Sequence, residues 1–404
     1  MGIKIKLKMY PLEVLLASLY VFMIPAKPIG PIYLFYGLGI LCLILYIFSM
    51  KFKIEKCHPF EFSYLLFWGF CVVGAFFSPS PFAYDLCIRI LIYMAGVFSA
   101  IWILSRYMSD EKVFSYASNL FINGTLFISG YCILVEGIGD VRLGEVVFKG
   151  VYGTYIELSI CILIASVLLI CKLFDPQNKN KWNYVRLALL MVFCGLSQTR
   201  KVLVAIILMI ALMAFWKSRG KILLRLKYIL ICFVVLIVTI SFLSRLEIFN
   251  QLLVRFYGMF LFLNGEATYD KSSIVRSSMI TVALSQFAKQ PVFGIGTDGA
   301  RIFVNQYLGV DAYSHCNFAE LLCNNGIVGF ILYYAFHFRT AIVALMEHDC
   351  DDTIKGILVC TIIVVVAMDY GQVSYYNVEY IFLYTVLSLL GRNLLKKHQL
   401  GRKN

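Results

Sequence analysis

Long apolar stretches separated by short polar segments run along almost the whole chain. An α-helix needs about 20 mostly apolar residues to cross roughly 30 Å of hydrocarbon. Twelve stretches approach or reach that length, which predicts an all-α integral membrane protein with about twelve transmembrane helices. The predicted spans are 10–26, 31–50, 60–78, 83–104, 114–135, 151–173, 185–199, 201–216, 226–243, 320–341, 354–371 and 377–395.

The polar segments between these spans differ in their content of lysine and arginine. One set of loops holds little beyond Lys27, Arg142, Lys149, Arg200 and Lys201, whereas the other set and both chain ends carry groups of basic residues. Basic residues accumulate on the cytoplasmic side of membrane proteins, so we expect both termini to be cytoplasmic. The basic groups fall at 4–8, 51–56, 106–112, 172–186, 217–227 and 392–403.

The longest segment between spans, 244–319, then lies on the outer side as an extracytoplasmic loop. Within it, residues 274–288 place apolar side chains along one helical stripe. That pattern is typical of a helix on the membrane surface and equally of a packed loop helix. Gly294, Gly296 and Gly299 predict a tight turn after this helix. No soluble domain is expected, so residues 1–404 form a single polytopic membrane domain.

Composition supports a lipid environment for this domain. Of the 404 residues, 61% are hydrophobic and only 15% are charged, whereas soluble domains carry about a quarter of charged residues. The net charge of +13 is spread over many loops, so orientation in the membrane explains it and no nucleic-acid partner is expected. The 13 cysteines contain no CxxC pair and mostly lie in apolar stretches, as small buried hydrophobic residues do.

Several charged residues lie at the outer ends of predicted spans, where an unpaired charge is costly. Asp85 and Arg89 stand one helical turn apart, so they either neutralise each other or leave Arg89 facing a cavity that receives an anion. Glu157 and Asp369 occupy similar positions. Arg200 lies in a tight turn, GLSQTRKVL. It is either an interfacial anchor or a phosphate contact, for which the donor fork of a guanidinium is suited.

The segment SHCNFAELLCNNGIVG, residues 314–329, joins the outer loop to the tenth predicted span. It contains His315, the only histidine on the predicted outer side. An imidazole at the mouth of a polar helix is a candidate general base. Glu320 and Asn317 add a carboxylate and an amide nearby. No metal site is expected, because no second histidine accompanies His315 and the cysteines stand alone.

These residues resemble the signature of the O-antigen ligase and polymerase superfamily, which has the GT-C type of glycosyltransferase fold. In that signature a histidine precedes a glycine with ten residues between them, as His315 precedes Gly326. Glu320 matches the family's acidic residue. Cys316 stands where the family commonly has an asparagine.

Three further segments extend the resemblance. Arg276 followed by QPVFGIG at 290–296 is similar to the family's arginine and its P-x-F-G-x-G turn. QTRKVL at 198–203 resembles its S/T-R turn between two spans. KGVYGTY at 149–155 resembles the glycine-rich start of its sixth span. Together these segments cover about 149–335, in the family's order.

The resemblance implies an inverting glycosyltransferase that needs no metal and no cofactor. It would take an oligosaccharide from an undecaprenyl-diphosphate carrier at the outer face of the bacterial inner membrane. Without Mg²⁺, the leaving diphosphate requires fixed cations, and an unactivated alcohol requires a base. The resemblance implies His315 as the catalytic base and the following residues as contacts to the diphosphate or the glycan: Arg200, Arg276, Arg89, Arg301, Glu320 and Asn317.

The acceptor decides between two members of this superfamily. A polymerase extends one lipid-linked glycan with another, whereas a ligase moves the glycan onto lipid A–core. The segment at 314–329 looks more like that of the polymerases. A transporter or flippase is an alternative class, since twelve spans suit it too. Transporters often consist of two related halves with a binding site at the membrane midplane, and neither feature is seen in this sequence.

Overall fold

The computed structural model describes residues 11–49, 59–138, 142–148, 155–175, 180–219, 271–346 and 351–401. Within these ranges the chain forms thirteen α-helices and no β-strand, which confirms the all-α class. The helices are α1 (Leu12–Ala26), α2 (Ile32–Ser49), α3 (Pro59–Ala75), α4 (Ala83–Tyr107), α5 (Asp110–Glu136), α6 (Tyr155–Phe174), α7 (Trp182–Leu196), α8 (Arg200–Lys217), α9 (Lys271–Lys289), α10 (Gly299–Leu308), α11 (Asn317–Met346), α12 (Asp352–Met368) and α13 (Val378–Gly401).

Eleven of the twelve predicted apolar stretches coincide with helices. The remaining stretch, 226–243, lies outside the described residues, as does most of the KGVYGTY segment. Among the described helices, six are long and apolar enough to cross a membrane: α1 with the turn after it, α2, α4, α5, α6 and α11. The chain is therefore a multi-pass membrane protein.

The helices differ in how deeply they are packed. In the apolar, membrane-length stretch of α6, 83% of the residues are buried, against 22% in the corresponding stretch of α2. α13 contacts α4, α5 and α6, and most of its described side chains are buried. A helix that is apolar on all sides is stable either inside a protein or in contact with lipid. We assign α6 and α13 to the centre of the bundle and α2 to its lipid-facing edge.

A break in α11 connects the segment before this helix to the bundle. At Gly326 the helix is interrupted by a residue with φ 61° and ψ −168°. The interruption frees backbone carbonyls for other partners. The amide N–H groups of Ile295 and Gly296 donate to the carbonyl oxygens of Cys323 and Asn324, each at 2.9 Å. The QPVFGIG turn is therefore bonded directly to the first part of α11.

Both partners in this contact need a glycine. A Cβ at Gly326 would lie 2.3 Å from the carbonyl oxygen of Val292, and a Cβ at Gly294 would lie 2.5 Å from the backbone of Asn324. Both glycines also have positive φ, a backbone conformation that other residues rarely adopt. The two glycine motifs of the sequence thus form one packed turn, and they fix the start of α11, next to His315.

Candidate functional site

His315 lies in the segment that connects α10 to α11, and its side chain is half-buried. This segment is held by Glu320, which is 1% exposed. The amide N–H of Ser314 donates to Glu320 Oε2 at 2.8 Å, and the side-chain amide of Asn324 donates to Oε1 at 3.2 Å. Both carboxylate oxygens of Glu320 are therefore used inside the protein, where they brace the histidine segment.

The backbone at His315 is strained. Among the described residues, only three non-glycine residues have positive φ: Gln198, Asp298 and His315. They lie in the turn before α8, the turn before α10 and the segment before α11. A left-handed conformation costs such residues about 1–2 kcal/mol, and this kind of strain clusters at active sites and ligand clamps. The three strained positions thus lie in the segments that precede α8, α10 and α11.

Two cations lie close to His315. Burial first, and then the charges of Arg276 on α9 and Lys201 on α8, lower the pKa of His315 to about 4. The imidazole is therefore neutral at physiological pH and able to accept a proton. Lys201 Nζ donates to the carbonyl oxygen of Gly371 at 2.6 Å. Neither Lys201 nor Arg276 has a carboxylate partner in the described part of the chain.

Arg200 and Lys201 share the turn that opens α8, but they do not point the same way. Consecutive residues in an α-helix are rotated by about 100°. The charge that acts on His315 is that of Lys201, while Arg200 is a half-buried neighbour at the first position of the helix. The sequence interpretation selected Arg200 and left Lys201 out. Only the three-dimensional arrangement of α8, α9 and α11 distinguishes the role of Lys201 from that of Arg200.

Arg89 and Arg301 lie near a different residue, Asp298. Burial raises the pKa of the Asp298 carboxyl, while a hydrogen bond from Ser80 and the charges of Arg301 and Arg89 oppose that rise. Arg301 forms a two-bond ion pair with Asp311, in which Nη2 lies 2.6 Å from Oδ2. The structure therefore groups Arg89 and Arg301 around Asp298, and Arg276 with Lys201 around His315.

Asn317 is the first residue of α11 and is fully buried. Its side-chain amide donates to the Tyr334 hydroxyl at 2.8 Å, and its side-chain oxygen accepts from the amide N–H of Ser374 at 3.0 Å. Its backbone N–H donates to the carbonyl oxygen of Asp369 at 2.7 Å. These bonds tie the start of α11 to the segment between α12 and α13, so the geometry favours a bracing role.

A second cluster of charges lies at the C-terminal end of α1 and the N-terminal ends of α6 and α13. Lys27 Nζ lies 3.1 Å from Glu157 Oε2 and 2.8 Å from Glu379 Oε1. Lys27 is 5% exposed and Glu379 is fully buried. The sequence interpretation counted Lys27 only as a loop charge and did not single out Glu379. A lysine beside two carboxylates from distant helices cannot be recognised from spacing along the chain.

Part of the chain matches a family of known proteins. Residues 159–334 match the family model Wzy_C, described as O-antigen ligase. No curated protein matches the chain. The matched range includes His315, Arg276, Arg200 and Lys201, together with the turn that packs on Gly326. Residues 159–334 thus resemble a Wzy_C O-antigen ligase domain, a family that implies membrane glycan transfer from lipid-linked substrates.

Proposed function

We propose that this chain transfers an oligosaccharide from an undecaprenyl-diphosphate carrier to a hydroxyl of a glycan acceptor, and that it thereby polymerises O-antigen or capsular repeat units. The observation that carries the proposal is the cluster of His315, Arg276 and Lys201. A neutral imidazole stands there beside two cations that lack a carboxylate partner in the described residues. Such a cluster suits a base acting next to a bound anion.

The reaction assigns one task to each member of the cluster. The acceptor hydroxyl oxygen attacks the anomeric carbon of the donor sugar, and the bond from that carbon to the diphosphate oxygen breaks. The hydroxyl proton passes to the imidazole of His315. Negative charge grows on the leaving diphosphate, which Arg276 and Lys201 stabilise through hydrogen bonds and charge. Attack from the face opposite the diphosphate inverts the anomeric configuration. These steps require no metal ion.

The other residues predicted from the sequence lie around the cluster of His315, Arg276 and Lys201, and we assign them different roles. Arg200 adjoins Lys201 and is a second guanidinium for the diphosphate. Glu320 and Asn317 hold the histidine segment and the start of α11, so we assign them positioning roles. Arg89 and Arg301 act on Asp298, and we assign neither a phosphate contact.

An O-antigen ligase that delivers the glycan to lipid A–core would use the same chemistry. The surface glycan of a deletion strain separates the two reactions. A single repeat unit on lipid A–core indicates a polymerase, and polymer retained on the carrier with none on lipid A–core indicates a ligase. Repeat units confined to the cytoplasmic leaflet would indicate a flippase. An unchanged surface glycan would overturn glycan transfer altogether.

The proposal also requires a defined orientation. We propose twelve spans, both termini in the cytoplasm and His315 on the outer face of the inner membrane. A membrane-impermeant thiol reagent should label Gly265→Cys in intact spheroplasts and Asn178→Cys only after lysis. These positions lie in loops that the charge pattern places on opposite sides. Labelling of Asn178→Cys in intact spheroplasts would overturn the orientation and the outer-face site.

A further inference from the structure

A line of aromatic contacts leads away from His315. The ring of Tyr313 lies 4.4 Å from the imidazole of His315 between centroids, and the ring of Tyr376 lies 6.1 Å from that of Tyr313. Both tyrosines are half-buried. The Tyr376 hydroxyl makes no hydrogen bond within the described part of the chain. The proposed base therefore adjoins an aromatic surface that offers a hydroxyl to a ligand.

Asp298 immediately precedes α10, and hydrogen bonds connect the start of that helix to the tyrosines. The amide N–H of Ala300 donates to Asn324 Oδ1 at 2.7 Å, and the side-chain amide of Asn324 donates to the Tyr375 hydroxyl at 3.3 Å. The rings of Tyr375 and Tyr376 lie 4.9 Å apart between centroids. Asp298 Oδ2 accepts a hydrogen bond from Ser80 Oγ at 2.6 Å. Oδ1 has no hydrogen-bond partner among the described residues. One carboxylate oxygen is thus fixed while the other is available.

The conformation of Asp298 also sets it apart. It immediately precedes α10, where an aspartate side chain normally caps the helix by accepting from a backbone N–H. Asp298 makes no such bond and has φ 61° instead. The residue therefore carries backbone strain without the usual gain from capping. Strain of this kind is a feature of ligand-binding positions.

The two ends of the site differ in charge. At the Arg276 and Lys201 end, no described carboxylate balances the cations. At the other end, Asp311 holds Arg301 in a two-bond ion pair, and the Asp298 carboxylate adds negative charge. A phosphate is attracted to the first end. At the second end, Arg89 and Arg301 are balanced by Asp298 and Asp311, so no net positive charge attracts a phosphate there. A neutral ligand rich in hydroxyl groups suits the second end, because a carboxylate accepts strong hydrogen bonds from hydroxyls.

We propose that Tyr313, Tyr376 and Asp298 form the subsite that binds the acceptor glycan. The apolar C–H face of a pyranose packs on a tyrosine ring, and its hydroxyls bond to Asp298 Oδ1 and the Tyr376 hydroxyl. The assignment to the acceptor follows from the reaction, because the base contacts the acceptor hydroxyl and the cations contact the leaving diphosphate. The subsite rests on the proposed function, since it needs a glycan-transfer reaction at His315.

Two simple inhibitors distinguish the ends of the site. Inorganic pyrophosphate probes the cationic end, and the diphosphate-free oligosaccharide released from the accumulated carrier probes the acceptor subsite. The assay follows transfer by the purified full-length protein with its lipid-linked donor. Asp298→Asn keeps an acceptor for Ser80 and tolerates positive φ. Tyr376→Phe removes one hydroxyl, and it is the second test of the subsite if Asp298→Asn fails to fold.

We expect Asp298→Asn to raise the oligosaccharide inhibition constant about tenfold or more, because a hydrogen bond to a charged group is lost. Tyr376→Phe should raise it several-fold. The inhibition constant of pyrophosphate should stay unchanged in both variants. Tyr307→Phe, an exposed tyrosine on α10, is the matched control and should change neither constant.

Arg276→Ala should show the reverse pattern, with only the pyrophosphate constant raised. An unchanged oligosaccharide constant in both Asp298→Asn and Tyr376→Phe would overturn the subsite while leaving glycan transfer intact. A raised pyrophosphate constant in Asp298→Asn would also overturn it, since that residue would then act on the donor. A wild-type protein that transfers no glycan would overturn the proposed function, and the subsite with it.

Discussion

Two lysines, the buried Lys27 and the half-buried Lys201, illustrate opposite ways of placing a cation at the end of a helix in the bundle. Lys27 contacts two carboxylates, those of Glu157 and Glu379. Lys201 contacts a backbone carbonyl oxygen and lies near a second cation, Arg276. The first cluster is charge-compensated within the protein. Among the described residues, the second is not.

This difference indicates different tasks. A buried charge is tolerated when a partner offsets the cost of removing it from water. The carboxylates beside Lys27 provide that partner permanently, so the cluster links α1, α6 and α13 in the folded protein. Lys201 and Arg276 lack one, and an anionic substrate would complete their environment. We therefore expect the Lys27 cluster to govern stability and the Lys201 cluster to govern activity.

The largest expected effect is on catalysis. His315→Ala should lower turnover by about 10²–10⁴-fold, the range for loss of a general base, while the donor still binds through the cations. The measurement is transfer in vitro with purified protein and lipid-linked donor. A variant that keeps more than about a tenth of wild-type turnover would reduce His315 to a residue that positions the acceptor.

Replacing the cations should also abolish transfer without loss of folded protein. We expect Arg276→Ala to be inactive and Arg276→Lys to recover little, because a guanidinium binds a phosphate through two parallel hydrogen bonds and an ammonium does not. Lys289→Ala, at the exposed end of the same helix α9, is the matched control and should retain activity. Near-normal transfer by Arg276→Ala would assign Arg276 to the structure of the outer loop.

The next prediction concerns stability. Lys27→Met leaves the carboxylates of Glu157 and Glu379 buried next to each other without a cation. Removing one partner of a buried ion pair typically costs about 3–5 kcal/mol of unfolding free energy. We expect a marked fall in the thermal unfolding midpoint in detergent. Lys201→Met should change that midpoint little, because it removes a cation that has no carboxylate partner among the described residues.

A triple variant tests the reason for that loss. Lys27→Met combined with Glu157→Gln and Glu379→Gln removes all three charges, and neutral replacements of buried ion pairs are often tolerated. It should recover most of the stability lost in Lys27→Met. If Lys27→Met unfolds at the wild-type temperature while Lys201→Met does not, the contrast between the two clusters is wrong.

The sequence is a good guide to the helices and to the segments of the site, and a poor guide to contacts between segments. Apolar length predicts helices because lipid requires internally bonded backbone, and eleven predicted stretches coincide with helices. The spacing of His315 and Gly326 identified the segment at the start of α11. Lys201, Glu379 and Asp298 escaped notice, because their roles depend on which side chains of separate helices meet.

A further prediction concerns the turn that positions His315. Gly326→Ala would place a Cβ 2.3 Å from the carbonyl oxygen of Val292 at positive φ. The left-handed conformation alone costs about 1–2 kcal/mol, and the clash adds to it. We expect lower thermal stability and loss of transfer, because the turn that positions His315 must shift. Gly130→Ala, with open space around its Cβ, is the control and should retain both.

The smallest predicted effect is a shift in pH dependence. Burial and then the charges of Arg276 and Lys201 lower the pKa of His315 to about 4, so the imidazole is neutral above that pH and loses its function as a base below it. The acid limb of kcat/KM, which reports the free enzyme, should therefore lie near pH 4. Lys201→Met removes one repelling charge, which raises the pKa. Its residual activity should show an acid limb at higher pH, displaced only partly towards the ordinary histidine pKa of 6.5 because burial remains the larger cause. Lys289→Ala, far along α9 from Arg276, should leave the acid limb unmoved.

An acid limb that does not move in Lys201→Met would mean that the charge of Lys201 does not act on the imidazole of His315. In that case the two lysines would differ in their partners but not in their function.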